Sequence, residues 1–416
     1  EILAAQAGVR ATRHGVIDAY LGYAPRANAT FDKQRERQNV IATQNPVYQT
    51  GKAYFGNTVA YGEIVQPIVD YRIIAQLKAA KAAERGADFS HLGVQNKITY
   101  GVIEAYLLAL SAADAYSLSN IEQRALEGHE VDVRSKIERG LSNSADFDDV
   151  ESRLGLAKAR KVTAAAAMSE AFAALERLCA KTTDSLYPLR GSVPVVRPDP
   201  RDPDQWVAAA LRANPDLLAM DQTVAGAAAE VEKLFSNHLP RLDLRATDTY
   251  SKTGGSLYGG GSETDDKLLA LRLSVPLFNG NGQGIQFLAA KERELQAQLN
   301  LDVRRREIIQ KARTAFIETV SNGERVGILA TASKASDRFA EGQRDKFKAG
   351  LITVTLVLDA ERDAYRARRE YLGARYAYLL NMMQLRYLAG VISPEDVAFV
   401  NSLLDPRQRP VRKVRF

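Results

Sequence analysis

A mainly α-helical fold built from two structural repeats, with four β-strands of the alternating kind that a membrane β-barrel uses, is what this 416-residue sequence predicts. Three observations carry that expectation: two proline-free stretches longer than any globular helix, four segments that alternate apolar and polar residues, and a layout that occurs twice.

The long stretches run from about Tyr71 to Arg139 and from Gly284 to Lys348. At about 1.5 Å per residue each would extend roughly 100 Å, whereas helices of globular domains usually run about 8–20 residues. Apolar residues recur along them at three- and four-residue spacing, as in Val102, Tyr106 and Ala109 or Ile309, Ala312, Phe316 and Val320. Abundant alanine between them favours close helix-on-helix packing. A shorter helix returns after each tip, from Asp148 to Ala180 and from Thr355 to Tyr387.

The alternation sits just before each long stretch. PRLDLRATDTY sets Leu242, Leu244 and Ala246 on one face and Asp243, Arg245 and Thr247 on the other, and KLLALRLSVP groups Leu269, Leu271, Leu273 and Val275. A polar, glycine-rich loop joins them. The first half offers PRANATFDKQR and YFGNTVAYGEIVQP. Tyr48, Tyr54, Phe55 and Tyr61 gather there as an interfacial aromatic girdle would. Pro67 and Pro276 mark the strand-to-helix boundaries, because a proline cannot donate to a strand ladder. Four strands cannot close a barrel, and open edges are prohibitive in lipid. Strands that span a membrane therefore require several copies of the chain.

The duplication is read residue by residue. EILAAQAG at Glu1 lies against DLLAMDQT at Asp216, with Pro25-Arg26 on Pro240-Arg241; further along, Ala105-Tyr106 falls on Ala315-Phe316, Gly140-Leu141 on Gly350-Leu351 and Asp149 on Asp359. The expected first repeat is 1–196, with strands at about 25–37 and 54–67 and long helices over 70–180. A linker rich in proline and aspartate covers 197–213. The second repeat is 214–404, with strands at about 240–250 and 267–276 and long helices over 284–387, followed by a basic tail, 405–416. Asn214-Pro215 has its counterpart ahead of Glu1, so the native chain is expected to start upstream, along with any signal peptide.

Composition excludes several classes. The net charge of +6 is concentrated in Arg407, Arg409, Arg412, Lys413 and Arg415, which reads as a solvated, flexible terminus rather than a nucleic-acid or lipid site. A single cysteine, Cys179, excludes an internal disulfide framework, and its apolar neighbours suggest simple packing. No run approaches the roughly 20 consecutive apolar residues of a transmembrane helix. His14, His91, His129 and His238 are dispersed, so no metal site, cofactor or catalytic group is expected, and each reads as a surface or packing residue. GGG at 259–261 and GNGQG lack the lysine and Ser/Thr of a phosphate loop.

The duplicated layout, VPLFNGNGQG opposite IVQPIVDYR, FKAGLITVTLVLDAERDAYRAR and LAGVISPEDVAFVNSLL resemble the TolC family of outer-membrane channel-tunnels over nearly the whole chain. That resemblance implies a homotrimer whose twelve-stranded outer-membrane β-barrel continues as a periplasmic α-helical barrel. It also implies two partners, a periplasmic adaptor (membrane fusion) protein and an inner-membrane transporter of the ABC type. The ending resembles type I protein-secretion members more than multidrug or small-molecule efflux members. No enzymatic activity is expected.

In the family the entrance closes at the helix-to-helix tips, here Gly140-Leu141 and Gly350-Leu351, which are also the expected adaptor-docking points. Acidic pore positions of the family match Asp146 and Asp359, and the repeat adds Asp149. Three symmetry copies of such a carboxylate would attract cations, whereas Asp148 reads as part of a helix cap. A second acidic pore position is Leu356 here, and the gate-locking tyrosine and arginine match Phe347 and Ile352. The expected closure is therefore more apolar, or uses Arg139 and Arg344. A soluble coiled-coil scaffold would explain the rods but not the four strands.

Overall fold

The computed structural model describes residues 1–44, 46, 50–140, 142–255, 259–277 and 282–414; of the expected features, Tyr48, Leu141, Arg415 and residues 278–281 of the glycine turn lie outside them. In chain order the elements are α1 (Ile2–Leu21), β1 (Arg26–Val40), β2 (Gly51–Val69), α2 (Tyr71–Glu138), α3 (Ser144–Cys179), β3 (Ser185–Leu186), α4 (Pro203–Ala213) and α5 (Pro215–Ser236). They continue with β4 (Arg241–Thr253), β5 (Ser262–Ser274), α6 (Gly282–Lys348), α7 (Val354–Leu388), α8 (Pro394–Ser402) and β6 (Val411–Arg412). Helix dominates, and helix–strand–strand–helix–helix occurs twice.

The chain divides into two compact units, one of residues 3–91 and 219–302, the other of 92–218 and 303–416. The first holds an antiparallel sheet in the order β1-β2-β4-β5. Register separates its faces: Leu242 pairs with Leu273, Leu244 with Leu271 and Ala246 with Leu269, while Ala27 pairs with Ile64 and Phe31 with Ala60. Leu269, Leu271 and Leu273 are all at least 65% exposed, so this apolar face has no partner among the described residues. The opposite face is polar and carries the Arg245–Glu63 ion pair at 2.7 Å. Tyr54 shares the apolar face, whereas Phe55 and Tyr61 fall on the polar one, because neighbouring positions on a strand alternate. Only part of the expected girdle thus faces outward.

All four strands differ from their expected ends. β1 and β4 run three residues further, to Val40 and Thr253, and β5 begins at Ser262, because polar residues such as Ser262, Glu263 and Asp265 continue the ladder that hydropathy loses. β2 does not stop at Pro67: it continues to Val69 through a register shift between Pro67 and Val69, the kind of irregularity that accommodates a missing donor. β5 ends at Ser274, two residues before Pro276.

The second unit is centred on Leu107, Leu110, Met168, Phe172, Tyr378, Leu379 and Met383. α2 also contains an 18-residue window of mean hydropathy 1.2, which by length and composition could cross a membrane. The expected linker 197–213 contains a helix, α4, capped by Asp202, started by Pro203 and held by buried Trp206, whose Nε1–H donates to Pro200 O at 2.7 Å. The Asp-Pro pair was the available signal. Asn214 then caps α5, accepting from Asp216 N at 3.0 Å while its Nδ2 donates to Leu388 O at 2.9 Å. Gly390, in the LAGVISPEDVAF stretch, has φ +71, and a Cβ there would lie 2.3 Å from Ala213 O, so no other residue fits.

Two expectations are corrected here. The basic tail is fixed rather than flexible: β6 pairs with β3, Asp405 N donates to Pro188 O at 2.9 Å, and Lys413 Nζ meets Glu176 at 3.0 Å. An exposed strand edge at 185–186 offered backbone partners that charge counting ignores. Cys179 is exposed: its neighbour Leu178 packs against the core, and Cys179, the last residue of α3, does not.

Candidate functional site

Two helix hairpins of the second unit carry the predicted entrance residues. α2 and α6 both end on a left-handed glycine, Gly140 at φ +71 and Gly350 at φ +75. Gly140 N donates to Ile137 O at 2.9 Å, and the second tip adds Leu351 N to Lys346 O at 2.9 Å. The orphan carbonyls of each helix end are satisfied this way. Leu351 is 73% exposed at its tip. Asn143 caps α3, its side chain accepting from Asp146 N at 2.8 Å, and Asp146 in turn accepts from Ser142 Oγ at 2.7 Å. Asp146 is thus part of a helix start.

Behind the tips Leu126, Val133, Val150, Leu154, Val354 and Leu358 form a small core, with Phe347 packed against it. Phe347 lies under Lys136, whose Nζ is 3.5 Å from the ring centroid, and edge-on to His129. Its role is packing between α2 and α6. Leu356 points outward at 53% exposure. Arg139 folds back on its own helix, donating to Ser135 O at 3.0 Å and Ser135 Oγ at 3.1 Å.

The two repeat-related aspartates meet at one cation. Arg153 donates to Asp149 Oδ1 at 2.8 Å and to Asp359 Oδ1 at 2.9 Å, tying α3 to α7. Arg362 also approaches Asp359, at 3.2 Å. Two residues beyond Asp359 along α7, Glu361 is 3% exposed and accepts from His129 Nε2 at 3.1 Å and from the Arg344 guanidinium. Burial pushes the Glu361 carboxyl up, but hydrogen bonds from His129 and Arg344 outweigh it and hold the group below its ordinary value. Further along, buried Glu122 receives Arg160 at 2.7 Å and Arg369 at 3.3 Å. Glu122, Arg153, Arg160, Glu361, Arg362 and Tyr365 are among the residues lining a 90 Å³ cavity, room for a few waters and no cargo.

Sequence reading missed Arg153, His129, Glu361 and Glu122. Asp149 and Arg153 stand four apart, a spacing that signals a helix-face ion pair; nothing in the sequence indicates that Arg153 also reaches Asp359, more than two hundred residues away. Arg344, expected at the closure, pairs with Glu361.

The profile of the outer membrane efflux protein family matches residues 206–391. The alkaline protease secretion protein AprF of Pseudomonas aeruginosa is 27% identical over 94% of this chain and 81% of its own length. The proteases secretion protein PrtF of Dickeya chrysanthemi is 24% identical over 90% of this chain and 82% of its own. The solved outer-membrane channel OprN superposes with a TM-score of 0.80 at 17% identity, over 94% of this chain and 87% of that one, which shows the fold. With its duplicated helices and four-stranded sheet, the chain has the fold of solved outer-membrane channels, is similar to secretion proteins along nearly its whole length, and matches the outer membrane efflux protein family over residues 206–391.

Proposed function

We propose that this chain is the outer-membrane exit duct of a type I protein-secretion system. Three copies close a twelve-stranded barrel, and cargo handed over by an inner-membrane transporter of the ABC type and a periplasmic adaptor passes through it passively. The observation that carries this reading is the sheet: one face is apolar and unpartnered, while β1 and β5 both end it with open edges. In lipid such edges must be closed by further strands. The likeness to AprF and PrtF supports protein as cargo. Residues 1–196 and 214–404 would then contribute equivalent staves, with 197–213 at the equator.

In this duct the tips at Gly140-Leu141 and Gly350-Leu351 dock the adaptor, and Asp146, Asp149 and Asp359 give the entrance its cation preference. Phe347 and Leu356 supply apolar bulk, while Arg139 and Arg344 stay tied to Ser135 and Glu361 in the closed form. Efflux of small molecules is the second reading, favoured by the fold shared with OprN. Single-channel conductance in a planar bilayer, with the mass of the detergent-purified protein, tests the duct: discrete cation-preferring openings from a trimer are expected, and a monodisperse monomer without conductance ends the proposal. Restoring export of a protease, without restoring drug resistance, in cells lacking their own channel separates the two cargo classes.

A further inference from the structure

The two edges of the sheet carry opposite charge on the same face. On the apolar face of β1, beyond Phe31, positions 33, 35 and 37 are Lys33, Arg35 and Arg37, all exposed. Among the described residues none of the three forms an ion pair; Arg37 only lies 6.0 Å from the centroid of the Tyr54 ring, its cross-strand neighbour. On the same face of β5 the matching stretch is Glu263, Asp265 and Lys267. There Lys267 is turned to Asp265 at 3.3 Å and Lys252 to Glu263 at 2.6 Å, yet both carboxylates remain more than half exposed. A carboxylate has about four acceptor sites, so each has capacity left.

We propose that Arg35 and Arg37 pair with Asp265 and Glu263 of a second copy of this chain, forming an ionic seam that sets the register between subunits. The inference rests on the oligomeric barrel proposed above. β1 runs away from the helices and β5 returns to them, so β1 of one copy beside β5 of the next is antiparallel, like every pair already in the sheet. Setting the helix-side ends flush, Arg26 beside Ser274, brings Arg35 opposite Asp265 and Arg37 opposite Glu263; it also sets Lys33 opposite Lys267, a like-charge contact softened by the Lys267–Asp265 pair at 3.3 Å and outnumbered by the two opposite-charge pairs. Opposite charges directly across a strand pair stabilise it, and like charges oppose it. Pairing β1 with a second β1 would stack three cations on three cations. The charges therefore favour the head-to-tail contact that closes a ring over a two-fold dimer.

A charge exchange tests this. In the full chain purified in detergent, Arg35→Glu with Arg37→Glu should lower the ratio of trimer to monomer by roughly a hundredfold, with two reversed pairs at every seam. Adding Glu263→Arg and Asp265→Arg should restore it. In a Cys179→Ser background, Arg35→Cys with Asp265→Cys should give a covalent trimer on a non-reducing gel. A wild-type protein that is itself monomeric removes the oligomeric reading beneath the seam. A trimeric wild type whose exchange variant is not restored, or which crosslinks through Arg37→Cys and Asp265→Cys instead, overturns the seam or its register. If the reversal leaves the trimer intact and weakens binding to phosphatidylglycerol vesicles, the column serves lipid phosphate and the proposal fails.

Discussion

The two helix hairpins descend from one plan and now do different work. Both turn on a left-handed glycine, Gly140 or Gly350, and both have an arginine six residues before it, Arg134 or Arg344. Arg134 pairs with Glu130 of its own helix at 3.0 Å and stays at the surface. Arg344 crosses to α7 and meets Glu361, which is buried and also bonded to His129 of the first hairpin. The repeat counterpart of Glu361 is Glu151, and it is exposed. Duplication thus preserved the turn, which backbone sterics dictate, while the charges diverged. One hairpin keeps solvent-screened pairs worth little; the other contributes a buried carboxylate whose partners come from two other helices, α2 and α6.

The largest effect that separates them is therefore at Glu361. Glu361→Ala should cost about 3 kcal/mol, because it removes the buried carboxylate that Arg344 and His129 share, whereas Glu151→Ala should change the denaturation midpoint little. Acid sharpens the contrast. Since the folded-state pKa of Glu361 is lowered, its contribution is complete above the ordinary value of 4.5 and is lost as pH falls through the depressed folded value. Wild-type helical stability should fall as pH drops from 4.5 through the depressed folded value, and Glu361→Gln should fall less. Equal slopes for the two proteins would show that Glu361 is not the titrating group.

Next in size is Arg153, the cation shared by both repeats. Arg153→Met should destabilise by only about 1 kcal/mol, as its pairs are partly solvated, but it leaves Asp149 and Asp359 facing each other as like charges. In the proposed duct this frees α7 from α3, and single-channel conductance should rise. Asp359→Ala should weaken cation block; unchanged conductance and block would remove Asp359 from the pore.

How far this was legible follows from the kind of pattern involved. The strands and helices repeat every two or three to four residues, so Leu242, Leu244 and Ala246 declared their face without help from the fold. Gly140 and Gly350 were visible because the duplication aligned them. The Glu361–His129–Arg344 cluster was not, because its members come from α7, α2 and α6, and no local spacing joins them. The docked tail escaped for the same reason: Lys413 finds Glu176 across the sequence. The strand ends at Val40 and Ser262 escaped because polar residues in a ladder look like loop.

The tip glycines should behave alike, since both hold φ near +70: Gly140→Ala and Gly350→Ala are each expected to cost about 1 kcal/mol or slightly more. The caps that follow them should not. Asn143 and Thr353 occupy equivalent positions in the two repeats, but only Asn143 bonds the helix backbone, accepting from Asp146 N at 2.8 Å; Thr353 makes no side-chain cap. Asn143→Ala should therefore lose about 1 kcal/mol, and Thr353→Ala a few tenths at most. Chemical denaturation of the two variants side by side measures this, and equal losses would mean that the second hairpin is capped in solution as well as the first.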